Sequence, residues 1–103
     1  MSRCILPVNE TGKFCGIVEL VVGLDGPMGH WFYQCYGPED EDGEPTFIEG
    51  DGLSGCSRND LLRIIQKYAD SDDSGVTRVA TQIALDLDPK DARIPKGSFV
   101  HCF

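Results

Sequence analysis

The chain reads as one α+β domain: an antiparallel β-meander of three to five strands with two α-helices packed on one face. Three observations predict this class. Apolar residues alternate at period two through 13–49, between clusters of Gly, Pro and Asp. They recur at helical spacing through 58–69 and again through 76–88. The 103 residues, 41 % hydrophobic and 25 % charged, suffice for one core but not for two, so a single domain is expected over 1–103.

The elements follow in order. Cys4–Val8 is a short apolar run expected as an edge strand, and Asn9-Glu-Thr-Gly12 is a turn cluster. Lys13–Leu24 carries the strongest strand signal: Phe14, Gly16, Val18, Leu20, Val22 and Leu24 fall on one face, and Glu19 interrupts the other. After the turn Asp25–Gly29, an aromatic strand is expected over His30–Tyr36. It places Trp31, Tyr33 and Cys35 on one face and Phe32, Gln34 and Tyr36 on the other. The run Pro38–Pro45 holds five carboxylates and an Asp42-Gly43 turn signal, so it must project into water. A third strand over Thr46–Glu49 completes the meander. Ser57 is the expected N-cap of the first helix, with Asp60 three residues on. The acidic turn Ala69–Gly75 stops that helix, and Pro89 ends the second. Ser98–Phe103 is expected to return as a final strand with Phe99, His101 and Phe103 on one side.

Charge narrows the function classes. Seventeen carboxylates face nine Lys and Arg, for a formal net charge of -8. Such a surface repels phosphate and anionic lipid, so direct nucleic-acid and membrane binding are disfavoured, while a basic protein patch is attracted. No apolar run spans a bilayer, and Met1–Thr11 lacks the features of a signal peptide. The five cysteines are widely spaced, with no Cys-x-x-Cys pair. Cys15, Cys35 and Cys102 lie in apolar runs, where a free thiol acts as a small hydrophobe. A core without metal or disulfide in a reducing cytoplasm is the expectation.

Several motifs suggest chemistry, and each has a plainer reading. Gly50-Asp-Gly-Leu-Ser-Gly55 is a literal G-x-G-x-x-G between a strand and a helix. No βαβ unit surrounds it, however, and Asp51 would sit beside the phosphates, so a flexible loop is the simpler reading. Asp70–Gly75 matches the first half of a calcium loop, but Thr81 stands at the twelfth position. The hairpin at Asp40, Asp42 and Gly43 has Glu49 at the twelfth but Pro38 at the first. Cys56 precedes a helix start, where the dipole lowers a thiol pKa, and only His30 and His101 could serve it as a base. No catalytic residue, metal ligand or cofactor is assigned, and an enzyme is the less favoured class.

The aromatic strand is different. Helices cover one sheet face, and the other must meet water, a ligand or another chain. Glu19, His30, Trp31, Tyr33 and Tyr36 are therefore the candidate ligand- or partner-binding residues. The leading expectation is a non-enzymatic interaction module, homodimeric and with a protein partner. One alternative is a binder of a cationic or aromatic small molecule, or a small enzyme, using Glu19, His30 and Tyr33. Another is an acidic nucleic-acid mimic, an accessory protein of a phage or mobile element, with its charge at 39–51 and 70–73.

Overall fold

A computed structural model describes residues 2–25, 30–50 and 55–103. The chain forms a five-stranded antiparallel sheet in the order β4-β3-β2-β1-β5. Its strands are β1 (Ser2–Leu6), β2 (Glu19–Asp25), β3 (His30–Glu39), β4 (Pro45–Gly50) and β5 (His101–Cys102). The helices are α1 (Glu10–Phe14), α2 (Arg58–Tyr68) and α3 (Ser74–Ala84). The expected α+β class is present, and the three-stranded antiparallel meander runs from Glu19 to Gly50.

The inner face carries the core. Cys4 and Leu6 of β1, Leu20 and Val22 of β2, and Trp31, Tyr33 and Cys35 of β3 form one buried layer. Leu61, Ile65 and Tyr68 of α2 and Val76, Val79 and Ile83 of α3 pack on it. Ser57 caps α2 as expected, its Oγ accepting a hydrogen bond from the Asp60 N–H at 3.1 Å. The acidic run 38–44 is exposed, and Gly43 takes the left-handed conformation (φ +79°) that its turn requires.

Five expectations are corrected. The strand expected from Lys13 begins only at Glu19. The Asn9 side chain instead accepts from the Gly12 N–H at 2.8 Å and starts α1, and Gly16 (φ +83°) turns the chain into β2. β1 is not an edge strand, because β5 pairs outside it in the register Cys4↔Cys102 and Ile5↔His101. The second helix stops at Ala84 rather than at Pro89. Asp86 (φ +61°) reverses the backbone, Leu87 is 48 % exposed, and buried Pro89 opens a 3-10 turn against β1. The final strand is shorter than expected; only His101–Cys102 join the ladder, and Phe99 and Phe103 are exposed. Cys102 is not a free thiol, since it forms a disulfide with Cys4, its register partner.

Asp73 does more than punctuate the acidic turn. Its Oδ1 accepts from the Gly75 N–H at 2.8 Å and from Ser98 Oγ at 2.5 Å, and its Oδ2 accepts from the Phe99 N–H at 2.9 Å. It caps α3 and fastens the C-terminal segment to it. Burial alone would raise this carboxyl. The hydrogen bonds from Ser98, Phe99 and Gly75 outweigh burial and hold it below the ordinary aspartate value. No helix among the described residues is long and apolar enough to cross a membrane.

Candidate functional site

Strand alternation divides the candidate residues between two faces. Trp31 and Tyr33 point inward, opposite Leu24 and Val22. Glu19, His30 and Tyr36 lie on the outer face, where Glu19 stands opposite Tyr36. His30 and Tyr36 are six residues apart on one strand, which is about 20 Å. Glu19, His30 and Tyr33 therefore do not converge.

The outer face reads as cross-strand rows. One row runs Arg3, Gly23, Phe32. The next runs His101, Ile5, Val21, Gln34, Gly50. A third runs Glu19, Tyr36, Phe47. Two glycines leave gaps that rings fill. A Cβ on Gly23 would come within 2.7 Å of Phe32 Cζ, and one on Gly50 within 3.1 Å of Phe47 Cε2. Tyr36 meets Phe47 edge to face at 5.9 Å and donates its hydroxyl hydrogen to Gln34 Oε1 at 3.0 Å. Val21 is 0 % exposed and Phe32 9 %, yet neither belongs to the helix-covered core cluster. The outer face thus has a packed aromatic surface of its own.

Two features distinguish this surface. Among the described residues no helix lies on it, and Phe47 is 55 % exposed. Arg3 makes no salt bridge among the described residues, and its buried Nε has no hydrogen-bond partner. A buried donor without an acceptor is costly. Arg3 was not among the candidates read from the sequence, because its isolated position in an N-terminal apolar run carries no motif.

The polar groups of the inner face are already matched. Tyr33 donates to Glu49 Oε1 at 3.0 Å and Tyr68 to Glu49 Oε2 at 3.3 Å. Lys67 Nζ lies 4.9 Å from the Tyr68 ring centre, and its hydrogen bond to Tyr68 raises its pKa. Glu49 is the carboxylate held between two phenols, whereas Glu19 stands on the outer face opposite Tyr36. A bulge in β4, which pairs Cys35 with Glu49 but Tyr36 with Phe47, turns Glu49 inward. Period-two reading from Thr46 could not anticipate that. Burial, then Glu49, pushes the Cys35 thiol up to about 11, so it stays protonated at neutral pH and is no nucleophile.

The remaining motifs settle into the fold. Cys56 is half-buried, bridged to Trp31 and part of a shallow pocket of about 320 Å³ with Tyr33, Asp60 and Arg63. His30 packs against neighbouring Gly55, whereas His101 stands three strands away from β3 at the other edge of the sheet. Residues 51–54 of the glycine string lie outside the described residues. In the half calcium loop, Asp70 accepts from the Asp72 N–H and the Asp73 carboxylate is spent internally. Among the described residues no three His, Cys, Asp or Glu side chains group closely enough to hold a metal ion. No protein family, curated protein or solved structure matches the chain.

Proposed function

We propose that this domain is a non-enzymatic interaction module that self-associates as a homodimer through the outer face of its sheet. The observation that carries the reading is the aromatic outer surface of Phe32, Tyr36 and Phe47, packed on glycines and left without a helix. A second copy is the simplest cover, because two-fold pairing buries one patch on itself. Pairing through the β4 edge is less suited. That edge carries a bulge, Pro45 and flanking carboxylates, devices that oppose strand addition. The small-molecule alternative loses support because Glu19, His30 and Tyr33 do not share a site. The acidic-mimic alternative loses Asp73, whose carboxylate is turned inward.

A protein partner remains part of the reading, with a basic surface that complements the net charge of -8. The cytoplasmic setting has to be reconciled with the Cys4–Cys102 bond, since such bonds persist mainly in oxidising compartments. The state of that bond in protein taken directly from its native cells tests the compartment.

Sedimentation equilibrium across the micromolar range tests the self-association. A dimer that Tyr36→Ser weakens, with the far-UV circular dichroism unchanged, is the expected result. A wild-type protein that stays monomeric throughout refutes the reading.

A further inference from the structure

We infer that the dimer's two-fold axis runs along the row Ile5–Val21–Gln34, so that Arg3 of each copy pairs with Glu19 of the other. The inference rests on the self-association reading and deepens it by naming the register.

The register follows from the rows. Arg3, Gly23 and Phe32 form the row on one side of Ile5–Val21–Gln34, and Glu19 and Tyr36 belong to the row on the other side. A two-fold rotation about the central row lays each flanking row on the partner's opposite row. Gln34 then faces its own copy across the axis, and the Phe32 position lies over Tyr36 of the other copy, twice over. Arg3 on β1 arrives one strand, about 4.8 Å, from Glu19 on β2 of the other copy. That lateral step is within the reach of an arginine side chain across sheets packed about 10 Å apart. Within one copy the two cannot meet: Glu19 is four residues along β2 from Gly23, the register partner of Arg3, or about 13 Å.

One further observation favours this axis. The acidic hairpins separate. Residues 39–44 project beyond the Glu19–Tyr36–Phe47 row, and rotation about a line across the strands carries the two hairpins to opposite ends. Two chains of net charge -8 can then approach without placing those carboxylates together.

A charge exchange tests the pairing. Arg3→Glu and Glu19→Arg each create two like-charge contacts per homodimer and are expected to raise the dissociation constant by about tenfold or more. Mixed in equal amounts, the two variants form a heterodimer in which both contacts are again of opposite charge. The mixture should recover wild-type affinity by sedimentation equilibrium, as should the Arg3→Glu/Glu19→Arg double variant. Should a reversal unfold the protein, Arg3→Gln and Glu19→Gln serve instead, each weakening the dimer and neither restoring the other. Single variants that dimerise as tightly as wild type, or a mixture no tighter than its components, overturn the axis while leaving the homodimer standing. A monomeric wild type overturns both.

Discussion

The two faces of this sheet are built from the same strands by alternate residues, yet they handle polar groups in opposite ways. On the inner side two carboxylates are filled from within. Glu49 receives two phenols, and Asp73, at the start of α3, receives two backbone N–H groups and a hydroxyl. On the outer side the aromatic residues pack on one another, while Arg3 retains a buried donor with no acceptor. A matched interior stabilises one chain. On the proposed reading the outer surface is covered by a second copy, and strand parity then separates stability from recognition.

Variants on each face should divide the same way, and the largest effects on stability belong to the inner side. Ile83→Ala leaves a cavity at a site with 0 % exposure and should lower unfolding free energy by about 2–5 kcal/mol in urea titration. Its effect on the monomer–dimer equilibrium, measured where the protein is folded, should be small. A large shift there would show that the faces are coupled. Opening the Cys4–Cys102 bond comes next. It ties the first strand to the last across 98 residues, and Cys102→Ser or a dithiol reductant should cost about 2–4 kcal/mol. Intact-mass thiol counting beside the denaturation curve checks this, and equal stability of reduced and oxidised protein would remove the bond from the inner-face framework.

Asp73→Asn should cost about 1–3 kcal/mol by weakening a buried set of hydrogen bonds. The pH dependence has a definite sign. The folded carboxyl sits below its unfolded value, so its contribution is complete above the ordinary aspartate pKa and disappears as pH falls through the folded value. Wild type should therefore lose stability on acidification more steeply than Asp73→Asn, and parallel acid limbs would contradict the assignment. The smallest effects come from two tyrosines of one strand. Tyr33→Phe deprives a carboxylate of a donor and should cost about 1 kcal/mol. Tyr36→Phe loses only a half-exposed bond to a neutral amide and should cost less than about 0.5 kcal/mol. Equal costs would mean that the faces differ less than their hydrogen bonds indicate.

Parity was legible before the fold was known. The split of Trp31, Tyr33 and Cys35 from Phe32, Gln34 and Tyr36 follows from the period of a strand, and Ser57 announced α2 by its capping chemistry. Periodicity misled where a local hydrogen bond outbid it. Lys13–Leu24 alternates throughout, but Asn9 captures the Gly12 N–H and withdraws the first residues into α1. Val76–Leu87 keeps helical spacing to its end, but the left-handed Asp86 ends the helix early and leaves Leu85 and Leu87 outside the core.

The amino-acid sequence by itself determined the fold class, the meander, the two long helices, the exposed acidic hairpin and the two sets of residues on β3. All of these rest on short-range periods, turn chemistry and the cost of burying charge. Only the tertiary structure decided that Cys4 meets Cys102, that Asp73 reaches Ser98 and Phe99, that a bulge turns Glu49 to Tyr33 and Tyr68, and that the Arg3 Nε is buried without an acceptor among the described residues. Each of these joins residues from different elements or depends on one residue of slippage in a ladder. A local pattern of side chains carries no record of either.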